Sequence, residues 1–340
     1  MLIFVEIYIM LFSLIIPVYN RPQEIDELLK SLLLQSYQKD FEVVIVEDGS
    51  TVSCKEIVES FKSNLSIRYY FKENSGPGAS RNFGMQKATG DYFLIFDSDC
   101  IIPPNYLLEV ANQLSLDYVD CFGGPDKDLK SFSNVQKAIN FSMTSFMTTG
   151  GIRGGSEKIN KFQPRSFNMG ISKKAFEVSG GFGKIHPGED PDLSIRLWEL
   201  GFETRLLPDA FVYHKRRIDW SKFYKQVNKF GKARPILDTW YPKYSKVTYF
   251  FPTLFLFGII IAIFSAFFKI YILIYIFTIY FELLFIVALL QTKNFKIGLL
   301  AVFATLIQFY GYGTGFLKSY ILVRIFKKQP QKAFPELFFK

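Results

Sequence analysis

Hydrophobic positions recur along this chain with two spacings, one of strands and one of helices. Phe12 to Val18 is an apolar run of strand length, ending in Pro17-Val18-Tyr19-Asn20. Ile25, Leu28, Leu29, Leu32 and Leu33 then fall at i, i+3, i+4, i+7 and i+8, one face of a helix predicted over Arg21 to Tyr37. Phe41 to Val46 predicts a second strand, ending at Glu47-Asp48-Gly49-Ser50. A short helix over Lys55 to Phe61 and a third strand over Ile67 to Phe71 follow. Gly76-Pro77-Gly78 opens a helix through Lys87, and the apolar run Tyr92 to Phe96 reads as a buried strand inside Asp91 to Asp99. This alternation predicts an α/β fold with a doubly wound, largely parallel sheet. Ligands in such sheets gather at the carboxyl ends of strands. Asp48, Asp97 and Asp99 all fall there.

The second half continues with a strand over Tyr118 to Gly124 and a polar, glycine-rich stretch, Thr148 to Gly155, expected as a mobile loop. Phe167-Asn168-Met169-Gly170-Ile171 precedes a helix from Lys173. Gly188-Glu189-Asp190-Pro191-Asp192 opens another helix, which runs to Leu200 and is ended by Gly201. Carboxylates are favoured at a helix start by its dipole, and a capping role is the expectation for Asp192.

From Val247 the pattern changes. Val247 to Phe268 carries no charge, enough for about 33 Å of helix. After Lys269, Ile270 to Leu290 carries only Glu282. A third apolar segment, Ile297 to Val323, contains Gln308, the run Gly311 to Gly315, and Lys318. Lys243, Lys246, Lys293, Lys296, Lys327, Lys328 and Lys332 all stay on the cytosolic side if the first two segments span and the third is interfacial. The expected domains are therefore an apolar extension at 1–11, a catalytic domain at 12–240 divided at 124/125, a membrane region at 247–325 and a basic tail at 326–340, for which disorder from Gln329 is the bland reading. The extension lacks a basic start and a cleavage site, and Glu6 interrupts it, so no signal peptide is expected.

Composition fits this division. Hydrophobic residues make up 49% and aromatics 18%, and the mean hydropathy is +0.15. The net charge of +9 comes without a Lys/Arg run interleaved with aromatics, so membrane surface and phosphate are the expected partners and nucleic acid is not. Cys54, Cys100 and Cys121 have no metal-ligand spacing and suggest no disulfide framework, as in a reducing compartment.

Asp97 and Asp99 are candidate chemistry. On an extended chain they would share a face, and two carboxylates about 5 Å apart repel by roughly 3 kcal/mol. A hard divalent cation with a diphosphate would relieve this; a solvated turn is the alternative. A nucleotide-sugar site fits the neighbouring positions: Asp48 accepting from a base N–H, Tyr19 beside the ring, and Arg81 pairing with Asp97 or a phosphate.

Four blocks, Ser13-Leu-Ile-Ile-Pro-Val-Tyr-Asn20, Val46-Glu-Asp-Gly-Ser50, Gly78-Ala-Ser-Arg-Asn82 and Asp97-Ser-Asp99, resemble in order and spacing the family 2 glycosyltransferases, which have a GT-A fold. The resemblance runs from about Phe12 to Arg234. It implies an inverting transferase using a nucleotide-diphospho-sugar and Mn²⁺ or Mg²⁺. Pro17, Tyr19 and Asp48 would hold the base, Arg81 and Asp97 would support base, ribose or diphosphate, and Asp99 would bind the metal. Glu189-Asp190 matches the family's base motif. Asp190 would deprotonate the acceptor hydroxyl, and Glu189 would raise its pKa.

His214 would complete the metal site or touch the diphosphate, and Lys215-Arg216-Arg217 would neutralise the leaving group or face anionic lipid. Asn168, Arg217, Gln226 and Arg234 are expected on the acceptor or diphosphate side. Gln226 to Arg234 lacks the Gln-x-x-Arg-Trp of processive synthases, which implies addition of a single sugar per encounter. The implied protein is a multi-pass inner-membrane enzyme with a cytosolic catalytic domain, taking a UDP-sugar to a lipid-linked or membrane-proximal saccharide. A polyprenyl-phosphate sugar synthase and a non-catalytic scaffold on this fold are the alternatives.

Overall fold

The computed structural model describes residues 10–127, 132–149, 161–215 and 219–339. Most of the apolar extension, the glycine-rich stretch from Gly150, and Arg216 and Arg217 lie outside them.

In chain order the elements are β1 (Phe12–Val18), α1 (Pro22–Leu32), β2 (Phe41–Asp48), α2 (Lys55–Phe61), β3 (Ile67–Lys72), α3 (Pro77–Lys87), β4 (Tyr92–Phe96), β5 (Cys100–Ile101) and α4 (Tyr106–Leu116). Then come β6 (Cys121–Gly123), β7 (Asp126–Lys127), α5 (Asn134–Thr144), α6 (Phe146–Thr149), β8 (Asn168–Ser172), α7 (Lys173–Ser179), α8 (Glu189–Glu199), β9 (Thr204–Leu206), β10 (Val212–His214) and α9 (Trp220–Trp240). The apolar helices are α10 (Phe251–Phe267), α11 (Ile272–Thr292) and α12 (Phe295–Ser319), followed by the short α13 (Pro330–Ala333).

Seven strands form one sheet in the order β3-β2-β1-β4-β8-β6-β9. β3, β2, β1 and β4 pair in parallel, as the alternation predicts. β8 runs antiparallel between β4 and β6, and β9 returns parallel to β6. Both faces of the sheet are covered, Leu14, Ile16 and Ile45 on one side and Ile15, Val44 and Ile95 on the other. This is why the parallel strands are apolar throughout rather than alternating.

Three local expectations change. α1 ends at Leu32 rather than Tyr37, because Ser36 N–H donates to Pro104 O (2.8 Å) and the Gln35 amide to Pro103 O (2.8 Å), which draws the chain off the helix. β4 stops at Phe96, and Asp97 to Asp99 form a turn closed by Cys100 N–H to Asp97 O (3.1 Å), so the two carboxylates are not on one face of a strand. The segment after α12 is ordered: Phe334 and Leu337 are buried against Ile185, Ala233 and Ile236. Its apolar side chains, rather than its lysines, decide that.

Three helices are long and apolar enough to cross a membrane, over Val247–Phe267, Ile272–Thr292 and Phe295–Ile325. The third is the most buried of them, although Leu284 and Ala288 of α11 also reach α5. Ile297 and Ala301 pack on Ala138 and Phe141 of α5, and Ala304 joins Phe223 and Val227 of α9 in a second cluster. The glycines at 311–315 have a steric purpose here. A Cβ on Gly315 would come within 2.3 Å of Asn228 O, and one on Gly231 within 2.2 Å of Tyr312 O, so α9 and α12 touch backbone to backbone.

Candidate active site

A cavity of about 1840 Å³ opens at the carboxyl ends of the parallel strands and extends to the apolar helices. One wall comes from strand ends and the turns that follow them. Pro17 lies near the end of β1 and Tyr19 just beyond it, 52% exposed on the cavity wall. Asp48 ends β2 and accepts from Ser75 N–H (3.0 Å), Gly76 N–H (2.9 Å) and the Lys72 ammonium. It thus shapes the turn that starts α3 as well as lining the cavity.

Arg81, on α3, is buried. It donates to Asp97 Oδ1 (2.7 Å) and to Glu189 Oε1 (3.4 Å), and its guanidinium lies 5.3 Å from the Phe182 ring centroid. Asp99 accepts from Arg21 and lies 3.0 Å from His214 Nε2. Pairing of β10 with β5 sets His214 opposite Cys100 and so beside Asp99. The His214 ring stacks on Phe167, centroids 5.0 Å apart. Burial would raise the Asp99 pKa, but His214 and Arg21 outweigh it and hold the carboxyl far below its usual range.

Glu189 and Asp190 open α8. Burial opposes ionisation of Glu189, yet the hydrogen bond from His186 Nδ1 (2.7 Å) and the charge of Arg81 hold its pKa down. Asp190 moves the other way. Burial, and then repulsion from Glu189, push it up to about 6 against the pull of Arg81 and Arg165. Asp190 Oδ1 has no hydrogen-bond partner among the described residues. A half-buried carboxylate with an open lone pair beside a cavity is equipped to take a proton.

Gln226 and Arg234, both on α9, line the same cavity; the Arg234 guanidinium lies 4.1 Å from the Tyr249 ring centroid. Asn168 does not line it. It is fully buried, takes the Tyr106 hydroxyl (2.5 Å) and gives its amide to Ala210 O (2.8 Å). Its side chain joins the sheet to neighbouring segments, which corrects the expected acceptor-side role. Arg217 lies outside the described residues. Asp192 is not a cap: it pairs with Arg196 (2.8 Å) and accepts from the Tyr241 hydroxyl (2.7 Å).

Residues 13–180 match the family described as Glycosyl transferase family 2. The chain belongs to the family 2 glycosyltransferases. Among relatives of this chain, a Staphylococcus aureus poly(ribitol-phosphate) beta-N-acetylglucosaminyltransferase, TarS, is 40% identical over 105 residues, 30% of this chain and 18% of the relative. The chondroitin synthase of Escherichia coli is 27% identical over 235 residues, 60% of this chain and 34% of the relative. The chain thus spans about a fifth to a third of these relatives. The GT-A fold is shared with a mannosyltransferase of Pyrobaculum calidifontis solved with GDP-Man and Mn²⁺, at TM-score 0.51 and 18% identity, covering 66% of this chain and 62% of that one. It is shared too with S. aureus TarS 1-349 solved with UDP-GlcNAc, at TM-score 0.50 and 18% identity, covering 91% of each chain.

The donor set of this site fits a divalent cation in part. Asp99, Cys100 and His214 form a cluster of possible metal ligands. The Cys100 thiol is pushed well above its usual pKa by burial and donates to Phe167 O (3.4 Å), so it does not suit a hard cation. One carboxylate and one imidazole remain, a set that Mn²⁺ accepts when substrate oxygens supply the other positions. Arg21, Arg165 and His186 join the site without any signal of spacing in the sequence; Asp99 brings in Arg21, and the Leu337 carbonyl holds His186. The three cysteines are buried and free.

Proposed function

We propose that this chain is an inverting, metal-dependent glycosyltransferase that moves a sugar from a nucleotide-diphospho-sugar, a UDP-sugar by the reading of Asp48 and Tyr19, to a lipid-linked or membrane-proximal saccharide. The observation that carries it is Asp190, half-buried, with its shielded Oδ1 unpartnered among the described residues and its pKa raised to about 6, on the wall shared with the donor-side residues. In this reading Asp190 removes the proton of an acceptor hydroxyl. The freed oxygen bonds to the anomeric carbon from the face opposite the diphosphate. The carbon–oxygen bond to the diphosphate breaks, and its electron pair leaves with the nucleotide. A single displacement of this kind inverts the carbon. Arg81 keeps Asp97 and Glu189 at fixed separation on either side of the reacting atoms. Asp99 and His214 would hold Mn²⁺ or Mg²⁺, which when bound supplies positive charge to the diphosphate.

A membrane setting is part of the proposal. The cavity reaches Phe251, Pro252 and Leu254 at the start of α10 and Gln308 of α12, and Lys222, Lys225 and Lys229 of α9 stand along it. An acceptor held in the bilayer would enter from that end. Parity supports two crossings. The chain before α10 and the segment after α12 both pack on the catalytic domain, so α10 and α11 form the hairpin that crosses, and α12 lies along α5 and α9 at the surface. The catalytic domain then faces the cytosol on the inner membrane, with Lys243, Lys246, Lys293 and Lys296 on its side. Lys222, Lys225 and Lys229 favour a second reading, a polyprenyl phosphate as acceptor, which needs no base.

Detergent-purified protein, given a panel of nucleotide sugars with and without Mn²⁺ or Mg²⁺ beside Asp99→Asn, tests the proposal. It expects metal-dependent turnover of one donor, lost in the variant. Absence of both binding and turnover across the panel would sink it. Full activity of Asp190→Asn on a lipid phosphate would favour the second reading.

A further inference from the structure

The segment after α12 returns to the catalytic domain and ends on the active site. Leu337 O accepts from His186 N–H (2.7 Å), Phe339 N–H donates to Lys184 O (3.2 Å), and Ile185 and Phe338 form an antiparallel bridge. Lys232 of α9 holds Glu336 (3.0 Å). These contacts fix the loop 184–188, which leads directly into Glu189 and Asp190.

Phe339 completes the arrangement. Its ring lies on the cavity wall, 5.7 Å from the His186 ring. It also covers Gly76 so closely that a Cβ there would come within 2.4 Å of the ring. Gly76 N–H is a donor to Asp48, and His186 Nδ1 is bonded to Glu189. One side chain therefore touches both the turn shaped by the donor-side aspartate and the histidine that steadies the neighbour of the base.

We infer that residues 334–339 form a strap that positions the active site, with Phe339 as a positioning residue acting through His186 on Glu189 and Asp190. This rests on the transferase reading for its catalytic consequence. The ring fills the gap between the starts of α3 and α8, which belong to different halves of the domain and which the backbone does not connect locally. Without it the loop 184–188 keeps its backbone bridge but loses the packing that fixes the His186 ring.

Hydrogen exchange and steady-state kinetics on the full chain, for Phe339→Ala, Phe339→Leu, His186→Ala and the His186→Ala/Phe339→Ala double variant, test this. Phe339→Ala is expected to speed amide exchange at 184–190 and 76–78 while the sheet amides keep their protection. It should lower kcat by roughly 10- to 100-fold, the cost of misplacing a reacting group by about 1 Å. Phe339→Leu, which keeps most of the bulk, should restore part of kcat. The double variant should be no slower than the worse single one, as for residues acting in one path. Unchanged exchange at 184–190 in folded Phe339→Ala would overturn the strap. Wild-type kcat in that variant, or single effects that multiply, would overturn the positioning role. If Phe339→Ala does not fold, Phe339→Leu beside His186→Ala carries the same comparison. Exchange reads the strap whether or not a donor is turned over, so a failure of the transferase reading is seen separately, as wild-type protein without turnover.

Discussion

Arg81 Nη1 lies 3.4 Å from Glu189 Oε1, joining residues that are 108 positions apart in the chain. With Asp97 on the other side of the guanidinium, one buried cation ties the end of β4 to the start of α8. Removing one partner of a buried ion pair leaves the other charges uncompensated, at a cost of about 3–5 kcal/mol. Arg81→Ala should therefore lower Tm sharply and abolish turnover. Arg81→Lys keeps the charge but not the fork that reaches both carboxylates, so it should fold and still lose most of its kcat. Thermal denaturation beside kinetics separates the two; a fully active Arg81→Lys would contradict the bridging role.

Asp190 offers a test by pH. Its carboxyl ionises less readily in the fold than in the unfolded chain, first through burial and then through Glu189. The base is active only when ionised, so kcat should fall as pH drops through about 6. Ionisation also costs stability as pH rises through that value. Asp190→Asn removes this cost. It should melt above wild type at about pH 7.5, with the difference gone near pH 4, the unfolded carboxylate range. Its kcat should drop by about 10²–10⁴, the usual contribution of a general base. A melting difference of the opposite sign would mean that Asp190 is not the strained member of the pair.

The proposed metal pair predicts a specific loss. Asp99→Asn and His214→Ala should each weaken Mn²⁺-dependent donor affinity by roughly 100-fold or more, beyond what outer-shell losses cost. Affinity measured without metal should hardly change. Titration calorimetry with a nucleoside diphosphate, with and without Mn²⁺, gives both numbers.

The glycine contacts between α9 and α12 predict a packing defect. Gly231→Ala places a methyl against the Tyr312 carbonyl, a backbone group that cannot rotate away. Overpacking of this kind costs about 1–3 kcal/mol. The variant should show a lower Tm and earlier proteolysis in the segment after α12, while the parallel strands stay protected.

In the proposed two-crossing arrangement Lys269, between α10 and α11, lies on the far side of the membrane. Single cysteines at Lys269, Lys293 and Gln329, on a background whose native cysteines are buried, should label from outside only at position 269. Outside labelling at position 329 would show three crossings.

The half of the molecule that was legible beforehand has local causes. The apolar runs Phe12–Val18 and Tyr92–Phe96, the helix periodicity after Pro22, and the glycine that starts α3 each act within a few residues, so their elements follow from the amino acids in order. Of the four short blocks that carry the family resemblance, one covers β1 and the residues after it, two lie at the ends of β2 and β4, and one opens α3, so each reads from its neighbours in the chain. The long uncharged runs after Val247 likewise announce apolar helices by composition alone. What remained hidden depends on closure over long separations. Arg21 meets Asp99, His214 reaches Asp99 through the pairing of β10 with β5, and Asn168 turns inward to Tyr106 and Ala210, none of which a local pattern encodes. The segment after α12 carries lysines that read as a solvated tail. Phe334, Leu337 and Phe339 find buried partners only once α9 and the loop 184–188 have come together. Local physics set the strands, the helices and the chemical groups at their ends; the charge pairing and the packing that make those groups a site exist only in the assembled fold.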